Sequence, residues 1–121
     1  MKSKVFSFLI LFLLLSSCEK DYPIPSNEVP GWLKSSIEND EQAIKDFPKS
    51  WKNYGVWFRY NYDGVYYFEY GNPLSSSIVP PISQAQDTLN FLDPATSDRY
   101  QNRKCCQRLV WKGPKYDDLL H

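Results

Sequence analysis

Three groups of side chains in this 121-residue sequence have the types and spacings to do chemistry. The first is the cysteines: Cys18 stands alone near the start, and Cys105 stands beside Cys106. A thiolate is both a nucleophile and a metal ligand, but each role needs partners. Zinc takes about four N, S or O ligands, usually at wider spacing. The only histidine, His121, is the last residue, so serine and cysteine lack the general base that ordinarily activates them. No metal and no cofactor is expected. The second group is acidic: Asp63, Glu69, Asp87 and Asp93. Two carboxylates alone can run glycoside hydrolysis, yet Asp63-Gly64 and Asp93-Pro94 have the composition of turns, and no catalytic residue is assigned. The third group is aromatic. Trp57, Tyr62, Tyr66 and Tyr70 would stack on sugars or anchor a protein partner if a face stayed open; otherwise they build core.

The surroundings of Cys18 give it a different role. Lys2 and Lys4 supply a positive start, Val5 to Leu15 is apolar except for Ser7, and Leu15-Ser16-Ser17-Cys18 closes the segment. A charged start, a short apolar run and small residues before a cut form a secretory signal. Eleven apolar-run residues give about 16 Å of helix at about 1.5 Å each, roughly half of a ~30 Å hydrocarbon core. A transmembrane span is therefore disfavoured. The Leu15-Ser16-Ser17-Cys18 ending resembles the lipobox of bacterial lipoproteins. That resemblance implies cleavage before Cys18, diacylation of its thiol and acylation of the new amino terminus. It places the protein in the cell envelope, periplasmic or at the surface, with a membrane as its first partner.

Removing residues 1–17 takes two of the 14 basic residues, leaving 12 against 14 acidic ones, a formal charge of −2. With no basic surplus to pair with phosphates, nucleic acid is not an expected partner. The remaining 104 residues suffice for one domain. Export also exposes Cys105 and Cys106 to an oxidising compartment, which favours a bond. Neighbouring Cα atoms lie about 3.8 Å apart, below the usual disulfide range, and a regular strand would point the two sulfurs to opposite faces. Free or buried thiols, a vicinal disulfide, and an intermolecular or redox role all stay open.

The elements that must position these groups follow from patterning. Residues 18–29, with Pro23 and Pro25, read as an extended tether. Pro30 suits a first helical turn. Leu33, Ile37, Ile44 and Phe47 fall at offsets 0, 4, 11 and 14, one stripe of a 3.6-residue repeat. Asp40 interrupts that stripe, so the spacing predicts one kinked helix or two short ones ending at Pro48. Asp63-Gly64 between aromatic and β-branched runs predicts a type I′ hairpin, with strands at Val56–Tyr62 and Val65–Tyr70 that set Tyr60 opposite Tyr67 and Arg59 opposite Phe68. Residues 71–98, proline-containing and serine-clustered, read as loop with a short strand at Thr88–Leu92, and loops this long are often functional. A strand at Cys106–Trp111 and a fraying tail at 115–121 complete one domain over 30–114. The expected fold is α+β: an N-terminal helical segment on a small antiparallel sheet of three to five strands.

Tyr60, Tyr62, Gly64, Val65, Tyr66 and Tyr67, followed by Leu109, Trp111 and Lys112, resemble a family of small uncharacterised lipoproteins of Bacteroidota. There a short helix precedes a Tyr-x-Tyr-x-Gly-x-Val-Tyr-Tyr-like hairpin and a Leu-x-Trp-Lys strand. That family carries a Cys-Cys-Asp after the hairpin, where this chain has Gly71-Asn72-Pro73. The resemblance implies architecture and no activity. Together these features lead to a non-catalytic, membrane-anchored binding protein whose aromatic sheet face or proline-rich loop contacts another envelope component. A glycan-binding module and a small glycan-acting hydrolase are the alternatives, and oligomeric state is open.

Overall fold

The computed structural model describes residues 20–75 and 79–120; the signal segment, Cys18 and His121 lie outside the described residues. The fold is α+β. Helices α1 (Gly31–Asp46) and α2 (Pro94–Arg103) accompany strands β1 (Val56–Tyr62), β2 (Val65–Gly71), β3 (Ile82–Ser83) and β4 (Cys105–Lys112). The strands form one antiparallel sheet in the order β3-β2-β1-β4. No helix among the described residues is long and apolar enough to cross a membrane.

The hairpin forms where local chemistry dictates it. Asp63 and Gly64 adopt φ of 51° and 80°, the two positive values a type I′ turn requires, and the Asn61 side chain accepts the Gly64 N–H at 3.1 Å. A two-residue turn leaves one register, and Tyr60 pairs with Tyr67 and Arg59 with Phe68. Strand alternation then sorts the aromatic residues between two faces. Trp57, Phe68 and Tyr70 lie on the α1 side, whereas Tyr60, Tyr62 and Tyr67 lie on the side covered by α2.

Helix α1 is continuous rather than kinked or split. Asp40 does not break it because its carboxylate leaves the apolar stripe to pair with Lys52 at 3.2 Å. Leu33 and Ile37 are fully buried against Trp57, Phe68, Val110 and Trp111, and Ile44 packs at the margin. Phe47, the last residue of the stripe, overshoots the sheet and stays exposed. Strand β4 opposes Leu109 to Phe58 and Trp111 to Trp57. Val110 is therefore an extra, bulged residue, which lets Val110 and Trp111 both enter the core.

Four expectations need correction. Residues 20–29 are not a free tether: Ile24 and Val29 are buried in the core cluster, and Glu28 pairs at 3.3 Å with the buried Arg59, whose guanidinium lies 4.1 Å from the Tyr66 ring centre. Their apolar side chains complete the core beside α1, so the domain begins ahead of residue 30. The tail is also held. Tyr116–Leu120 forms a 3-10 turn, and the Lys115 N–H donates to the Asn53 carbonyl at 3.0 Å. Thr88 makes only an isolated bridge to Ile82, and the short strand falls instead at Ile82–Ser83 beside β2. Finally, Asp93-Pro94 opens a helix rather than a turn. Proline occupies the first turn, where its missing N–H is harmless, and the Thr96 hydroxyl donates to Asp93 at 2.7 Å.

Candidate functional site

A concave surface lies between the loop that leads into α2 and α2 itself. Pro80, Leu89, Phe91 and Leu92 supply apolar walls, and Thr88, Asn90, Ser97 and Gln101 supply neutral polar groups, around about 660 Å³. Among the described residues, no charged side chain lines it. Leu92 is 94% exposed, although its neighbour Phe91 is anchored against Tyr100 at 5.6 Å. Backbone bonds from Phe91 to Leu89 (3.0 Å) and from Asp93 to Asn90 (3.2 Å) hold the loop in a tight bend. An apolar rim with neutral hydrogen-bonding groups and one projecting leucine suits a protein segment better than a charged small molecule.

A second groove lies on the α1 side. Trp57 and Tyr70 pack at 5.2 Å and line about 310 Å³ together with Trp51, Val79 and the Asp40–Lys52 ion pair. Trp51 sits in the 3-10 turn Trp51–Tyr54 and is 50% exposed. Among the described residues the buried Trp57 indole N–H has no hydrogen-bond partner, a state that costs about 1–3 kcal/mol. Burial pushes the Tyr70 phenol above its ordinary value, against the opposing bond from Asn72. Aromatic rings beside a fixed carboxylate and ammonium have the chemistry to stack on a sugar ring and bond its hydroxyls.

The third constellation is on the opposite sheet face. The Tyr100 hydroxyl and the Lys104 ammonium both donate to Glu69 Oε2 at 2.8 Å. Lys104 also lies 4.1 Å from the Tyr60 ring centre. Tyr62, Tyr67 and Phe91 stand edge-on around Tyr100 at 5.1 to 5.8 Å. Glu69 thus spends its charge on an ammonium and a phenol, and the arrangement fastens α2 to the sheet.

Of the four acidic candidates, Glu69 is committed to this network and Asp63 to the hairpin turn. Asp93 is exposed at the α2 start, its carboxyl held below the usual range first by the Thr96 hydroxyl, and Asp87 sits where the exposed loop folds back on Ser83. Of the aromatic candidates, Trp57 is core, Tyr70 is half-buried in the groove wall, and Tyr66 lies beneath Arg59. Tyr62 is on the other face, so the four do not share one surface. The sequence reading missed Trp51 and Leu92, which lie outside any periodic segment. Tyr100 and Lys104 escape it too, because the loop reading of 71–98 takes in only the first half of α2 and residues 99–105 carry no pattern that marks an element.

Cys105 and Cys106 are joined as a vicinal disulfide at the exposed end of the edge strand β4. The expectation of opposed side chains assumed a regular strand. Cys106 instead adopts φ of 68°, and the register jumps from Arg59 opposite Arg108 to Asn61 opposite Cys105. That irregularity cancels the alternation and brings the two sulfurs together.

Burial raises the ionisation of Tyr22, Tyr60, Tyr67, Tyr70 and Tyr100 above the ordinary 10.0, with nearby carboxylates such as Glu69 adding to it at Tyr60 and Tyr100. Below pH 10 these phenols are protonated in both the folded and the unfolded chain. As the pH rises past that value, the unfolded chain releases protons that the folded one retains, so stability falls. Tyrosinate absorbance followed with circular dichroism should show unfolding between pH 10 and 12, with the late-ionising phenols titrating together with loss of structure.

Comparison with protein-family models, curated proteins and solved structures finds no match to this chain.

Proposed function

We propose that this chain is a lipid-anchored envelope protein that acts by binding another macromolecule rather than by catalysis. The anchor rests on Leu15-Ser16-Ser17-Cys18 behind the short apolar run. The binding role rests on the uncharged cleft between residues 80–92 and α2, with Leu92 projecting from its rim. A charge-free wall desolvates at little cost, so burial of Leu92 by a partner contributes about 1.5–3 kcal/mol. In agreement with this reading, Glu69 is bound by two donors and is not free to move a proton. An envelope protein is the favoured partner. A glycan is the second reading, supported by Trp51 beside Tyr70 and the Asp40–Lys52 pair.

Two substitutions separate these readings. Leu92→Asp should abolish cross-linking of the lipidated protein to an envelope protein in its own cells. Trp51→Ala should leave that cross-linking intact but weaken retention on purified envelope polysaccharide by about tenfold, since exposed aromatic contacts dominate such surfaces. Both residues are exposed, so neither change should move the unfolding midpoint. Binding unchanged by either variant would remove both readings.

A further inference from the structure

We propose that the folded domain lies directly against the bilayer that holds it, with the C-terminal end of α1 on the phospholipid headgroups and Phe47 entering the interface. This rests on acylation of Cys18, proposed above, and adds a second contact with the same membrane.

The first observation is a length. Lys20 follows Cys18 by two residues, and two Cα–Cα steps span at most about 7 Å. Lys20 is already part of the folded body. Its ammonium pairs with Glu41 of α1 and lies 5.8 Å from the Tyr22 ring centre, and Ile24 is buried four residues later. A domain on a ten-residue flexible tether would roam well clear of the surface. Here no slack remains.

The second observation is what surrounds Lys20. The Trp111 indole N–H donates to the same Glu41 oxygen at 3.4 Å. Lys20, the middle of α1 and the end of β4 therefore meet at one place. Beside it Ile44, Lys45, Trp111 and Pro114 line a shallow groove of about 260 Å³. Less than one helical turn beyond Ile44, Phe47 is 70% exposed, with Lys45 and Lys49 exposed on either side.

A phenylalanine flanked by lysines suits the boundary of a bilayer, where the ring enters the acyl margin and the ammonium groups reach phosphates. Part of the nearby acidity is already paired: Glu41 with Lys20 and Asp117 with Lys112, while Asp46 accepts from the Gln42 amide at 3.0 Å and stands between Lys45 and Lys49 in sequence. The anchor also holds Phe47 at high effective concentration beside the lipid, so a single ring and a few lysines suffice where they would fail in solution.

The test uses full-length lipidated protein from its own host, with acylation of Cys18 verified by mass spectrometry, in phosphatidylethanolamine–phosphatidylglycerol vesicles. Lysines are labelled with a membrane-impermeant amine reagent, and a Cys18→Ser form in solution is the reference. Labelling of Lys45 and Lys49 should fall by about fivefold, as expected for amines held among headgroups. Lys104, on the opposite face of the sheet, should label equally in both forms. Phe47→Ser in the lipidated protein should restore much of the labelling at Lys45 and Lys49. Acylated Cys18 with unprotected Lys45 and Lys49 would overturn this inference and leave the anchor standing. Unmodified Cys18 would overturn both. Equal protection in the Cys18→Ser form would assign the patch to self-association and overturn the membrane contact alone.

Discussion

Tyr100→Ala is expected to destabilise the domain by about 3–5 kcal/mol, the range for removing a buried aromatic side chain. A domain of this size has only about 5–15 kcal/mol in total. Tyr100 is the one buried residue of α2 and is completely enclosed. It touches Tyr62, Tyr67 and Phe91 with its ring and Glu69 with its hydroxyl. A core helix that loses one side chain keeps its others; α2 has none to keep. The helix should therefore undock and release the loop whose bend ends at Asp93. Urea unfolding measures the loss, and hydrogen exchange should show residues 88–104 opening ahead of the hairpin. Tyr100→Phe keeps the ring and removes one bond to a charged acceptor, a loss of about 1.5–3 kcal/mol. A Tyr100→Ala protein within about 1 kcal/mol of the parent would show that α2 is fastened through Lys104–Glu69 instead.

The same residue shows where a sequence stops being legible. The hairpin could be read to the residue because its determinants are adjacent: Asp63-Gly64 fixes the turn, and the turn fixes the register. Helix α1 could be read from its stripe, although Asp40 looked like a break until Lys52, distant from the stripe, accounted for it. Helix α2 has no stripe to read, because nine of its ten residues avoid the core. Ile24 and Val29 stood among prolines and charges and resembled a tether; only the three-dimensional core shows the space they fill. The split of Trp57 and Tyr62 between faces was implicit in the two-residue period. The exposure of Trp51, Leu92 and Phe47 was not, because exposure depends on where the sheet ends.

This last point bears on function. The residues carrying each proposed contact are those the fold fails to cover: Leu92 beyond α2, Trp51 beside Tyr70, and Phe47 past the end of the stripe. All three lie on connections or element ends, where side chains can change without disturbing the sheet. Leu92 borders the cleft against α2, whereas Phe47 follows the end of α1, the helix that carries the partner of Lys20. If the proposed lipid anchor and the proposed use of the cleft both hold, the chain would join a membrane to a second partner.

Gly113→Ala is expected to cost about 3 kcal/mol, comparable to overpacking a rigid core combined with lost backbone hydrogen bonds. Gly113 is buried just after β4, where the chain passes the 3-10 turn Trp51–Tyr54. A methyl group there would collide with the Asn53 carbonyl and also meet the Lys52 carbonyl. Backbone atoms cannot rotate aside as a side chain can. The two segments are held together by the Gly113 N–H on the Gly55 carbonyl at 2.8 Å and by the Lys115 N–H on that same Asn53 carbonyl at 3.0 Å. Making room for the methyl group breaks one or both bonds and frees Tyr116–Leu120. Gly31→Ala provides the contrast, because nothing lies within 4 Å of the added carbon, and helix propensity favours alanine by about 1 kcal/mol. Thermal unfolding of the two variants should therefore move in opposite directions from the parent; a Gly113→Ala midpoint at or above the parent's would show that the close approach to Asn53 does not hold the C-terminal segment.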